Sequence, residues 1–157
     1  MEVTLQQLPV TRVAYLHQVG PYDESIGRLW QKFMGQIQAL QLPFLQHFGI
    51  SYDNPLQTPP EQCRYATATE VGADFIASGE LQTMEIPGGL YACAEFYGLP
   101  NDCGPVWQDL LTNWLPNSDY VFDCERAGFE HYLPTDRFDE QTGAFSCRLC
   151  APVKARN

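Results

Sequence analysis

A carboxylate set among aromatic rings is the feature of this 157-residue chain best suited to chemistry. Glu130 lies in Gly128-Phe129-Glu130-His131-Tyr132-Leu133, an alternating run in which Tyr132 shares its face. Such a carboxylate is costly to desolvate unless positive charge reaches it. A ligand cation would supply that charge, and flanking ring faces would add cation–π attraction. A cross-strand ion pair with Arg148 would satisfy the same group without any ligand, and the pattern leaves both open. Around Glu130 the candidate walls are Tyr132, Trp107 and some of Tyr15, Tyr65, Tyr91 and Phe96. Trp30 and Trp107 also sit on helical stripes, where packing into the core is the ordinary role.

Other chemistries find less support. There is no Gly-rich phosphate loop, no H-E-x-x-H and no G-x-S-x-G. His17, His47 and His131 share no ligand spacing and read as surface or strand histidines. Cys147 and Cys150 form a C-x-x-C pair, but in a run that alternates like a strand. Positions three apart on a strand face opposite ways, about 10 Å apart, which suits neither a shared metal nor a disulfide. Cys63, Cys93, Cys103 and Cys124 are scattered. The six cysteines read as buried small hydrophobes with free thiols, and neither a metal nor a cofactor is expected.

Two helices and several short strands must position these groups. After Gly20-Pro21-Tyr22, Asp23 is a candidate N-cap, and Ile26, Leu29, Trp30, Phe33, Met34, Ile37 and Leu40 recur at helical spacing until Pro43. Asn101 or Asp102 caps a shorter helix striped by Trp107, Leu110, Leu111 and Trp114, which Pro116 stops. Strands are expected at 12–19, 49–53, 63–71, 81–86, 90–97, 129–133 and 144–151, with a turn at Pro87-Gly88-Gly89. The order strand, helix, strand, strand is given twice. Val13 to Gly20 aligns with Tyr91 to Gly98 without a gap, and Gly49-Ile50-Ser51 meets Gly128-Phe129-Glu130.

An internal repeat follows, with halves of about 3–72 and 81–152 in a single domain. The halves should pair into one antiparallel sheet with both helices on one face, an α+β fold, leaving a groove at the seam. By parity Tyr15, His17, Tyr91, Glu95 and Tyr97 share one face. Ala14, Leu16, Ala92 and Ala94 suit the face beneath the helices.

Nine basic against nineteen acidic residues leave a charge of −10, and no basic run occurs. That disfavours nucleic-acid binding, which needs a positive surface, and suits a cationic ligand. No apolar run approaches the roughly 20 residues of a membrane span, and Met1 to Val10 lacks the pattern of a secretory signal. A cytoplasmic location with reduced thiols is the expectation.

Val13-Ala14 through Gly20-Pro21-Tyr22 resembles a known family, as do Tyr52-Asp53-Asn54-Pro55 with Thr58-Pro59, Ile86-Pro87-Gly88-Gly89 with Tyr91-Ala92, and Phe129-Glu130-x-Tyr132. The family is the GyrI-like effector-binding group, which includes bacterial gyrase inhibitors and the ligand domains of AraC- and MerR-type multidrug regulators. The resemblance runs from about Leu5 to Val153. It implies a duplicated fold with a ligand groove in which a glutamate matching Glu130 meets cationic, aromatic, amphipathic compounds. It further implies that Trp107 reaches the groove from its end. Because the domain starts near Met1, no helix-turn-helix is expected, and the chain more resembles the free-standing members. Three functions then compete: a binding module for small hydrophobic cations, a DNA gyrase inhibitor acting by protein contact, and a hydrolase of strained-ring compounds using Glu130. The first is preferred over an enzyme.

Overall fold

The computed structural model describes residues 1–157. Along the chain run β1 (Val3–Leu8), β2 (Thr11–Val19), α1 (Ser25–Ala39), β3 (His47–Ser51), β4 (Arg64–Glu70), β5 (Gln82–Ile86), β6 (Gly89–Gly98), α2 (Cys103–Asp109), β7 (Tyr120–Phe122), β8 (Gly128–Tyr132) and β9 (Phe145–Ala155). The pairs β1–β6, β2–β4, β2–β5, β3–β4, β6–β9, β7–β9 and β8–β9 are antiparallel, so the architecture is the expected α+β. The doubled order is present as β2-α1-β3-β4 and β6-α2-β8-β9, with β7 inserted in the second copy.

Helix α1 buries Leu29, Phe33 and Ile37, spaced four apart along one stripe. Each fully buried side chain of this kind stabilises the fold by about 1.5–3 kcal/mol. Its start differs slightly from expectation. Glu24 occupies the cap position without a side-chain bond, while Asp23 Oδ1 accepts the Ser25 N–H at 2.9 Å from one residue earlier. At the other end Gln41 takes a left-handed φ of 56°. Leu42 N–H then reaches the Ile37 carbonyl at 3.2 Å and Gln41 N–H the Gln38 carbonyl at 3.0 Å. This double closure satisfies carbonyls that the helix end would orphan, just before Pro43.

Helix α2 follows Asp102, whose Oδ2 accepts the Leu99 N–H at 2.9 Å. It widens into a π turn over Leu110–Trp114 and tightens into a 3₁₀ turn over Leu115–Asn117. Pro116 lies inside that last turn, and the backbone becomes extended at Ser118.

The strands group into two compact units. In residues 10–87 the order is β3-β4-β2-β5, and α1 packs on the face bearing Leu16, Tyr65 and Leu81. In residues 1–9 with 88–157 the order is β1-β6-β9-β8, and β7 joins the end of β9. Here the helical segment packs on Ala92, Ala94, Leu149 and Ala151. Leu16, Ala92 and Ala94 therefore do lie beneath helices, as their parity required.

The units are not cut at the boundaries of the sequence repeat. β1 directly precedes β2 yet pairs with β6, and β5 directly precedes β6 yet pairs with β2. Pro9 and Pro87 stand at the two junctions. Neither Pro9-Val10 nor Pro87-Gly88 is a two-residue hairpin loop of the usual Asn-Gly type, so each strand runs on to another partner. The expected turn at Pro87-Gly88-Gly89 is a crossover of this kind. Gly89 has φ 140°, a conformation that L side chains rarely adopt, and a Cβ there would displace the Arg126 guanidinium, so glycine is favoured. Two strands had no expectation from the pattern, β1 and the three-residue β7. No helix is long and apolar enough to cross a membrane.

Candidate functional site

Glu130 stands opposite Leu149 in the β8–β9 ladder and so shares its face. Leu149, Cys147 and Phe96 are buried on that face with Cys103 from α2, and Val106, Trp107, Tyr132 and Phe145 pack against them. The β6–β9 register sets Phe96 directly opposite Cys147. The ring centroid of Phe145 lies 5.4 Å from that of Phe96 and 6.0 Å from that of Tyr132. Trp107 reaches the same strand from α2, because its Cη2 lies 3.3 Å from the position a Cβ on Gly128 would take.

Glu130 is half-buried here, and its charge is felt by its neighbours. Burial first, and the Glu130 carboxylate second, hold the thiols of Cys103 and Cys147 well above the ordinary cysteine range. The two cysteines are thereby neutral thiols beside the carboxylate. Cys103 and Trp107 are four apart on one helix, a spacing that could have placed Cys103 with Trp107 from the sequence. Phe145 gave no such local signal, because it arrives through strand pairing.

Arg148 is on the other face, opposite His131 in the ladder. Its guanidinium pairs with Asp136, reaches Glu95 at 3.5 Å and donates to the His131 carbonyl at 2.7 Å. Asp136 is drawn upward by burial, yet hydrogen bonds from Arg148, the Leu133 N–H and Ser146 hold its carboxyl below the usual range. The Glu130–Arg148 cross-strand pair considered from the sequence is thus replaced by Asp136–Arg148, since one residue of register reverses a strand's faces.

The remaining expected residues divide. Tyr91 is fully buried on the face opposite Glu130, 5.0 Å from the Phe129 ring and beneath the Arg126 guanidinium at 4.8 Å. Tyr15 and Tyr65 belong to the other compact unit. Tyr65 lies under α1, where its hydroxyl accepts the Trp30 indole N–H at 3.1 Å. Tyr15 is on the opposite face of those strands, donating to Gln82 Oε1 at 3.0 Å. Glu130, Tyr132, Trp107 and Phe96 are therefore the expected site residues that one unit gathers around one cluster.

Cys147 joins the Phe96 cluster while Cys150 faces Cys93 across β6 and β9, so the C-x-x-C pair does point to opposite faces. No three His, Cys, Asp or Glu side chains gather as a metal would need. A depression of about 610 Å³ lies elsewhere, lined by Asp109, Asn113, Trp114, Asp119 and Tyr120 among others, and shares no residue with the Glu130 cluster.

Known proteins share this fold. Residues 1–154 match the family described as the GyrI-like small molecule binding domain. A DNA gyrase inhibitor of Klebsiella pneumoniae is 27% identical over 157 residues, covering 98% of each chain. DNA gyrase inhibitor 1 of Dickeya dadantii is 32% identical over 136 residues, covering 85% of this chain and 88% of its own. Among solved structures, EcmrR in its complex with DNA superposes with a TM-score of 0.80 at 15% identity. That match covers 99% of this chain and 58% of the EcmrR chain. SAV2435 bound to tetraphenylphosphonium superposes with a TM-score of 0.68 at 18% identity, covering 98% and 94% of the two chains. Both likenesses are of fold.

Proposed function

The chain belongs to the GyrI-like family of small-molecule binding domains, and on that premise we propose that it binds small organic cations bearing aromatic surface. Glu130 supplies the charge, and Trp107, Tyr132 and Phe96 supply apolar and ring contact. The observation that carries the reading is the position of Glu130. A half-buried carboxylate on a helix-covered face, among rings and neutral thiols, gains most from a delocalised cation. The acidic charge of −10 favours the approach of such ligands. The aromatic cation held by the similarly folded SAV2435 supports the same class.

The test compares 10-methylacridinium with neutral acridine at pH 7.5 by fluorescence titration. Removing one partner of a desolvated charge pair costs about 2–5 kcal/mol, a loss of roughly 30-fold or more. Glu130→Gln should weaken 10-methylacridinium by that factor and leave acridine within about twofold. Equal loss for both dyes would end this reading.

A second reading has its own support: relatives named DNA gyrase inhibitors align over nearly the whole chain. Inhibition of gyrase by direct contact would appear in a supercoiling assay as a dose-dependent loss of activity without any dye present.

A further inference from the structure

We propose that the sheet face beneath α1 carries a recognition point for a ligand N–H donor, with His47 Nε2 as the acceptor and the Thr67 hydroxyl on the adjoining strand as a second polar contact. The proposal rests on the small-molecule reading above and uses only residues of the 10–87 unit. His47 is 5% exposed and stands opposite Thr69 in the β3–β4 ladder. Thr67, fully buried, faces the same way two residues earlier on β4.

With the Thr69 hydroxyl proton assigned to the Gln46 carbonyl 3.4 Å away, Thr69 Oγ1 accepts at 2.9 Å from His47 Nδ1. Nδ1 then carries the proton, and Nε2 presents a bare lone pair. Within the protein nothing donates to it, and the Thr67 hydroxyl also lacks a partner. The nearby indole N–H of Trp30 is already committed to Tyr65. Buried polar atoms are nearly always satisfied, so two orphans on one sheet face ask for a partner from outside.

The surroundings specify its shape. Phe44 stacks flat on the imidazole, with centroids 3.9 Å apart and planes at 7°. Trp30 stands 6.3 Å away, tilted at 55°. Phe44 is itself 43% exposed, so it is a wall that can swing aside without breaking the core. A flat aromatic ligand with an N–H edge would take the place of Phe44 against the imidazole. A quaternary cation of equal size offers no proton to Nε2.

The experiment sets 9-aminoacridine, protonated and bearing N–H donors, against 10-methylacridinium, an equally flat cation without them. One hydrogen bond to a buried orphan is worth about tenfold in affinity. The unaltered protein should prefer 9-aminoacridine by about that factor. His47→Phe should abolish the preference, and Thr67→Val should reduce it. A ¹⁵N spectrum of the unaltered protein should show the His47 Nε2 resonance leaving its bare-acceptor position on addition of 9-aminoacridine only. The proposal is overturned by an unmoved resonance, by the same dye preference in folded His47→Phe, or by a protein that binds neither dye. Retained sensitivity of 10-methylacridinium to Glu130→Gln alongside a silent His47 would remove this inference and leave the Glu130 reading standing.

Discussion

Trp107 and Gly128 meet edge to backbone: the far carbon of the indole lies 3.3 Å from where any side chain on Gly128 would begin. The same point is 3.3 Å from the Cys150 carbonyl oxygen, which is held in the strand ladder. The absent side chain at Gly128 is what lets the helix-borne ring approach β8, two residues from Glu130.

Gly128→Ala should therefore push Trp107 outward, because the backbone on the other side cannot yield. Overpacking of this kind costs about 1–3 kcal/mol, and the melting temperature should fall by roughly 2–10 °C. Trp107→Phe in the same chain should recover much of that loss. Calorimetry of the two single variants and the double variant measures the coupling. Simple addition of the two single effects would show that the contact does not matter.

Acid should destabilise the fold before its carboxylates titrate. Burial lowers His47 from the ordinary 6.5 to about 4, and burial together with Arg148 lowers His131 to about 4. In each case the unfolded chain binds the proton more readily. The stability is fully present above about pH 6.5 and is lost as pH falls from there toward 4. The limiting slope is about 1.4 kcal/mol per pH unit for each group. Denaturant titrations at pH 7.5, 6 and 5 should show a steady decline, and His47→Phe should flatten it. A pH-independent midpoint over this range would contradict the burial of both rings.

Thiol reactivity should be confined to one residue. Cys124 is exposed, whereas Cys63, Cys93, Cys103, Cys147 and Cys150 are buried and no disulfide joins any of them. Burial also raises the Cys63, Cys103 and Cys147 thiols, leaving little nucleophilic thiolate. Brief iodoacetamide treatment should add one carbamidomethyl group to the native protein and six after denaturation. Mass spectrometry locating early label on Cys93 or Cys150 would show that the β6–β9 pair opens readily.

The sequence by itself determined the local features: the doubled element order, the two helical stripes, and the relative facing of residues along each strand. Period-two alternation told that Leu16, Ala92 and Ala94 lie under helices, and that Cys147 and Cys150 part ways. These follow from backbone geometry that each segment carries alone. Only the tertiary structure decided how separate strands register. That choice set Glu130 with Leu149 and Phe96 rather than with Tyr91, and gave Arg148 to Asp136, a partner from the loop before β9. It also sent β1 to β6 and β5 to β2, and it left His47 Nε2 without a hydrogen-bond partner within the protein. Alternation fixes faces within a strand but carries no information about the offset between strands distant in sequence. That offset is settled by which arrangement buries most apolar surface while satisfying the most polar groups.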